Sequence, residues 1–178
     1  MKTPILAVLL SIVLTGCLMP MPGDTSTTVS KFDNTKQVSV EPGLIYNGML
    51  SSSIKLGAHW NSKMGDEAVL HVIYQFVDSI NGISFNIDGE IVSLTPIDAL
   101  TSFEPGYYSG YYSSGATSAQ RFNVKLEFLQ RLVSAKKVMV KVDLSKTFAE
   151  GELRDGFTMA KPGFVKFLAQ VKQAKSTP

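Results

Sequence analysis

The chain has 178 residues, a length typical of one domain, and its hydrophobic share of 44% excludes a wholly disordered protein. Its 17 Lys and Arg residues against 15 Asp and Glu residues give a net charge of +2, too small for a protein that binds phosphate backbones. A single cysteine excludes a disulfide framework and a cysteine-rich zinc site.

The N-terminus carries an apolar run behind one basic residue. Nine of the ten residues from Ile5 to Leu14 are apolar, and Lys2 precedes them. As a helix, ten residues span about 15 Å, which is half of the hydrocarbon core of a bilayer. The pattern therefore predicts that residues 1–16 are a secretion signal and not a permanent transmembrane helix.

The end of this run, Leu14-Thr15-Gly16-Cys17, resembles the lipobox of bacterial lipoproteins, in which a branched apolar residue, a small residue and Gly or Ala precede a cysteine. The resemblance implies cleavage before Cys17 and acylation of its thiol and amine. Several acyl chains anchor a protein stably, whereas one holds only marginally. The alternative is a small buried cysteine beside an ordinary cleavage site. Leu18 follows, where Asp would retain a Gram-negative lipoprotein at the inner membrane, so the resemblance implies the outer membrane and a domain facing the periplasm.

A polar segment separates Cys17 from the predicted globular domain. Residues 18–31 contain two prolines, one glycine and five Ser or Thr residues, a composition that cannot bury a core. We therefore interpret residues 17–31 as the lipidated cysteine with a flexible tether, and residues 32–178 as a single globular domain. Its first strand alternates at Val38 and Val40 and is predicted to break at Pro42-Gly43.

Residues 54–60 and 68–77 alternate with the period of two that is typical of β-strands, and a short turn joins them. A register centred on Gly65 pairs apolar residues only, which is the coherence that fixes a register. The predicted pairs are Ile54 with Phe76, Leu56 with Tyr74, Ala58 with Val72 and Trp60 with Leu70. The same register sets His59 directly opposite His71 on the other face.

A second hairpin is predicted from residue 83 to residue 94. Its turn, Asp88-Gly89, is the two-residue sequence favoured by type I′ geometry. The resulting register pairs Phe85 with Val92 and Ile83 with Leu94.

Residues 104–115 contain four of the six tyrosines in a background of Ser and Gly. Tyrosine offers a large amphipathic contact area at low entropic cost, and Ser and Gly let a loop adapt to its partner. We therefore interpret Tyr107, Tyr108, Tyr111 and Tyr112 as a candidate binding loop for an envelope protein or for peptidoglycan. The alternative is a mobile loop whose tyrosines cover a sheet edge.

Two helices and one more strand are predicted in the last third of the chain. Residues 126–135 place apolar side chains on one helical stripe, residues 137–144 alternate as a strand, and a C-terminal helix starts at Pro162. The fold class is therefore α+β: a mainly antiparallel sheet or sandwich with two packed helices.

No pattern for catalysis or metal binding is compelling. The two S-x-x-K sequences, at Ser52 and Ser134, lack the helical setting and the companion triplets that this motif needs. Two histidines without further ligands fall short of a zinc site, and Asp88 and Glu90 are explained by turn chemistry and exposure. We therefore expect no catalytic residue, no metal and no cofactor. The sequence favours a lipid-anchored, non-enzymatic binding or scaffolding domain; the alternative is an envelope hydrolase with an unrecognised active site.

Overall fold

The computed structural model describes residues 21–48, 53–105, 108–109, 112–113 and 115–176. These residues form antiparallel sheets of six, four and two strands, together with two α-helices. The predicted α+β class is confirmed. Within the described ranges, no helix is both long and apolar enough to cross a bilayer.

Twelve strands and two helices make up the described fold. In chain order they are β1 (Thr25–Val29), β2 (Lys36–Leu44), β3 (Ile54–Asn61), β4 (Glu67–Tyr74), β5 (Gly82–Ile87), β6 (Glu90–Leu94), β7 (Ser102–Glu104), β8 (Tyr108–Ser109), β9 (Tyr112–Ser113), β10 (Thr117–Lys125), α1 (Leu126–Ser134), β11 (Val138–Asp143), β12 (Phe148–Glu152) and α2 (Ala160–Ser176). The larger sheet has the order β1-β2-β3-β4-β10-β7 and the smaller one β12-β11-β5-β6, while β8 pairs with β9.

One hydrophobic core joins the larger sheet, the smaller sheet and both helices. The larger sheet contributes Trp60 and Phe122, the smaller sheet Phe85, and α2 contributes Phe164 and Phe167, all of them fully buried. Phe85 also meets Phe128 of α1 edge to face, with ring centroids 5.2 Å apart. Aromatic pairs favour this geometry, so α1 is fixed against the smaller sheet.

The N-terminal part of the domain begins earlier than predicted. Residues 25–29, which the sequence analysis assigns to the tether, form β1 and pair with β2 over five positions. Their Thr side chains are β-branched and suit a half-exposed edge strand. Thr27 Oγ1 donates a hydrogen bond to Gln170 of α2 at 2.8 Å, and Gln170 Nε2 donates to Thr25 Oγ1 at 2.7 Å. The predicted tether is therefore wrong for these residues, because their hydroxyl groups bond to α2.

Strand β2 continues through Pro42 and Gly43, where the sequence predicts a break. A β-bulge between Val40 and Gly43 shifts the pairing with β3. A bulge leaves residues without a ladder partner, so it accommodates a proline, which has no N–H to donate. The predicted break is therefore an irregularity inside one continuous strand.

From Ile54 to Tyr74 the β3–β4 hairpin keeps the predicted faces but not the predicted register. The predicted pair of Ile54 with Phe76 is wrong, because β4 ends at Tyr74 and Phe76 is 59% exposed. Ala58 pairs with Leu70 and Leu56 with Val72, which is a shift of two residues. A shift of two preserves the side-chain alternation, so Trp60 and Leu70 both face the core as predicted. In the turn, Trp60 Nε1 donates to the Gly65 carbonyl oxygen at 2.9 Å and Gly65 has a φ of 60°. The predicted register is wrong because an apolar pattern that repeats every two residues fits both registers equally well.

The β5–β6 hairpin has the predicted register, with Phe85 opposite Val92 and Ile83 opposite Leu94. Both turn residues have positive φ, 51° at Asp88 and 102° at Gly89, as type I′ geometry requires.

The C-terminal elements also agree with the sequence analysis. Helix α1 ends one residue earlier than predicted, and α2 starts two residues before Pro162, which lies in its first turn. The predicted inward side chains of β11 are all buried: Val138, Val140, Val142 and, just after the strand, Leu144.

Candidate functional site

The residues predicted to carry function lie only in part within the described structure. Cys17, Tyr107 and Tyr111 lie outside the described residues. Tyr108 belongs to β8 and Tyr112 to β9, and these two strands pair antiparallel, Tyr108 with Ser113 and Ser109 with Tyr112.

The β8–β9 pair forms a separate two-stranded sheet in the chain segment between β7 and β10. Tyr108 pairs with Ser113 in this sheet, whereas Glu104, the last residue of β7, pairs with Thr117 of β10. The segment predicted to be a loop therefore contains two short β-strands.

Exposed apolar side chains lie next to the ends of β4 and β7. Phe103 of β7 pairs with Ser118, whose hydroxyl donates to the Phe76 carbonyl oxygen at 2.8 Å. Phe76 is 59% exposed, Val77 63% and Phe103 54%, whereas Ser118 between them is buried. Large exposed apolar side chains that lie on neighbouring strands are candidates for an interaction site.

The first described residues reach the same end of the larger sheet. Gly23 and Asp24 continue the pairing of β1 with β2. The Gly23 N–H donates to the Glu41 carbonyl oxygen at 3.0 Å, and the Glu41 N–H donates to the Asp24 carbonyl oxygen at 2.8 Å. Met21 precedes them and is exposed.

The segment before α2 lies beside these residues. The Leu44 N–H, at the end of β2, donates to the Thr158 carbonyl oxygen at 2.9 Å. The preceding side chain, Phe157, is 80% exposed. The ends of β2, β4 and β7 and the starts of β1, β3 and β10 all lie at this end of the sheet, as the registers require. We call the exposed residues Met21, Phe76, Val77, Phe103 and Phe157, together with β8 and β9, the apolar end.

Glycines allow the backbone of α2 to approach this end closely. A Cβ on Gly43 would lie 2.6 Å from the Cα and N atoms of Ala160. A Cβ on Gly163 would lie 2.8 Å from Val40 Cγ2 and 3.1 Å from the Gly23 Cα. The start of α2 is thus packed directly on β2 and on the N-terminal segment, which fixes Phe157 and Met21 at the apolar end.

The two histidines share the solvent face of the larger sheet, as predicted, but they are not directly opposite each other. His59 pairs with Val69 and His71 with Gly57, so they are diagonal neighbours. Ser39 Oγ and His59 Nδ1 are hydrogen-bonded at 2.9 Å. The offset follows from the shift of two residues in the β3–β4 register.

The surroundings of both imidazoles favour the neutral form. Burial lowers the pKa of His59 and, as the largest cause, that of His71, which the charges of His59 and Arg121 lower further. Arg121 lies directly opposite His71 and forms a bidentate ion pair with Asp98 at 2.9 and 3.0 Å. In the part of the chain that the structure describes, no three His, Cys, Asp or Glu side chains are grouped so as to hold a metal ion.

A groove of about 720 Å³ lies between α1 and α2 beside the β3–β4 turn. Leu126, Leu168 and Val171 form an apolar floor, and charges of both signs surround it. Lys175 pairs with Asp66 at 2.6 Å on this rim. The groove lies at the end of the larger sheet opposite to the apolar end, because Asp66 precedes β4 and the ladder partner of Glu67 is Lys125 at the end of β10.

The remaining candidates for catalysis have structural contacts. Ser134 ends α1, where its hydroxyl donates to the Gln130 carbonyl oxygen at 2.7 Å, and Ser52 lies outside the described residues. The Asp88 carboxylate accepts backbone N–H groups of Lys136 and Lys137 at 3.2 and 2.8 Å. Glu90 pairs with Arg131 at 2.8 Å.

No family model matches this chain, and neither a curated protein nor a solved structure matches it. The sequence pattern singles out the tyrosine segment but not the exposed apolar side chains at this end of the sheet. Phe76 and Val77 lie just beyond β4, and Phe103 lies inside β7, so each resembles an ordinary strand residue in the sequence. Only the insertion of β10 between β4 and β7 brings them together.

Proposed function

We propose that this chain is a lipid-anchored cell-envelope lipoprotein, held in the outer membrane through Cys17, whose periplasmic domain is a non-enzymatic binding or scaffolding module. We further propose that the apolar end is its binding surface.

The proposed lipid anchor is supported by the position of Leu14-Thr15-Gly16-Cys17 relative to the described fold. The motif ends an apolar run of the length of a secretion signal. The described fold begins at Met21, four residues after Cys17, and four residues span at most about 14 Å. A lipid at Cys17 would therefore hold the folded domain close to the bilayer, not on a long tether.

Binding is supported by the exposure of the apolar end: its side chains stay exposed to solvent although the domain has a hydrophobic core of its own. Phe76 and Phe103 remain more than half exposed, although Tyr74 packs against the core and Ser118, the ladder partner of Phe103, is buried. Burying a large apolar side chain contributes about 1.5–3 kcal/mol, so a surface with several of them gains from a partner.

The anchor is tested by replacing Cys17 with serine in the full chain. We expect loss of the acyl mass from the mature N-terminus and release of the protein from the membrane fraction. Gly16→Ala is the matched control, because the motif accepts either residue at that position. An unmodified Cys17 in the native mature protein would refute the anchor.

The binding surface is tested with a variant in which Tyr107, Tyr108, Tyr111 and Tyr112 are changed to serine. We expect weaker co-purification of envelope components from crosslinked cells, by about 1–3 kcal/mol in affinity, with nearly unchanged thermal stability. Phe32→Ser, an aromatic residue that is 98% exposed at the opposite end, is the control. A large loss of stability with unchanged binding would instead assign the tyrosines to covering the sheet edge.

A further inference from the structure

We infer that the apolar end rests on the bilayer itself, so that the partner of this surface is the lipid–water interface in which the acyl chains of Cys17 are anchored. This inference rests on the proposed lipidation of Cys17.

The short connection to the anchor restricts which end of the domain meets the membrane. Met21 lies within about 14 Å of Cys17 along the chain, since a residue spans at most about 3.5 Å. Strand β2 has nine residues and is therefore about 30 Å long. Phe32, at the far end of β2, is separated from the anchor by that additional length. The end that carries Met21 is thus the end nearest the bilayer.

The side chains at that end have the chemistry of a membrane interface. Phe157 and Met21 flank the start of the fold, and Phe76, Val77 and Phe103 lie across the larger sheet from them. Aromatic side chains favour the headgroup level of a bilayer, and each buried apolar side chain adds to the anchoring by the acyl chains. The described surface thus carries exposed apolar side chains on both halves of this end of the larger sheet.

The attraction is apolar and not electrostatic. Charges near this end are mixed: Asp24, Glu41 and Glu104 are acidic, whereas Lys161 and Lys166 are basic. A polybasic patch would bind anionic lipids in a salt-dependent way. Here we expect contact with zwitterionic phosphatidylcholine that is insensitive to salt.

The experiment uses the lipidated full-length protein with one added cysteine, either Phe157→Cys or Phe76→Cys. An acylated Cys17 has no free thiol, so an environment-sensitive fluorophore labels only the added site. Phe32→Cys is the matched control. The labelled proteins are reconstituted into phosphatidylcholine vesicles with or without doxyl-labelled lipid.

We expect a blue shift and a loss of emission on doxyl lipid at positions 157 and 76, and aqueous quenching by iodide at position 32. All three positions are more than half exposed, so the variants should fold, and thermal unfolding checks this. Equal iodide quenching at all three positions would overturn the inference. So would protection from iodide without quenching by lipid, because that result would indicate a protein–protein contact.

If the proposed lipidation of Cys17 is wrong, the labelling experiment gives a different result. If Cys17 is not acylated, the chain without an added cysteine takes up the fluorophore at Cys17, which refutes the proposed lipidation before the docking is measured.

Discussion

The close packing of α2 on β2 gives the sharpest test of the fold at the apolar end. Replacing Gly43 with alanine would put a Cβ 2.6 Å from the Cα and N atoms of Ala160 and 2.8 Å from the carbonyl carbon of Met159. All three are backbone atoms, so no flexible side chain can move aside. The start of α2 or the end of β2 must shift instead.

The expected cost follows from the number of backbone atoms involved. Overpacking a well-packed site costs about 1–3 kcal/mol, and a clash with backbone belongs in the upper half of that range, about 2–3 kcal/mol. For a domain of this size, each kcal/mol corresponds to about 2–4 °C in Tm, so Tm should fall by about 4–12 °C.

Thermal unfolding followed by circular dichroism measures this effect. Gly82→Ala is the matched control, since it is also a strand glycine, but its Cβ would meet its nearest atoms at 3.5 and 3.7 Å, which is ordinary contact. It should be neutral or stabilising by up to about 1 kcal/mol. If Gly43→Ala unfolds at the wild-type temperature, the direct packing of α2 on β2 is refuted.

Three further substitutions test other contacts. Trp60→Phe removes the indole N–H donor to the Gly65 carbonyl oxygen and leaves space in the core, so urea denaturation should show a loss of about 1–3 kcal/mol. Asp88→Ala removes the acceptor of two backbone N–H groups before β11 and a residue suited to positive φ, so it should lower the free energy of unfolding by about 1–2 kcal/mol. Asp88→Asn should lower it less. Equal urea midpoints for the two variants would contradict this. The pKa of His71 is lowered in the fold, so below about pH 6.5 the unfolded chain binds the proton more readily and the stability falls as the pH falls. His71→Gln should make the stability less dependent on pH between pH 7 and 5. An unchanged dependence would exclude His71 as its source.

Local sequence signals predict the fold best where a turn fixes its own geometry. At Asp88-Gly89 two residues with positive φ leave one register for the hairpin, and the predicted pairs are the observed pairs. The longer turn at Gly65 imposes no such restriction. There the apolar pattern fixes the face of each residue, since it repeats every two residues, but it cannot distinguish registers that differ by two.

Composition alone gives the wrong answer for β1. A stretch of threonines looks like a tether because nothing in it is strongly apolar. Its order comes from the side chain of Gln170, which is 143 residues away from Thr27 and bonds to it directly. Contacts of this range carry no signal in the local pattern. The same holds for the apolar end, where residues of β4, β7 and the segment before α2 meet only through the strand order.

The strand order also determines what the proposed orientation would leave accessible. If the apolar end rests on the bilayer, the groove between α1 and α2 lies at the opposite end of the larger sheet, about one strand length from the membrane. That groove has an apolar floor at Leu126, Leu168 and Val171, and the Lys175–Asp66 ion pair lies on its rim. The nine-residue strand β2 runs between the two ends, so the groove and the apolar end are separated by about 30 Å along the larger sheet.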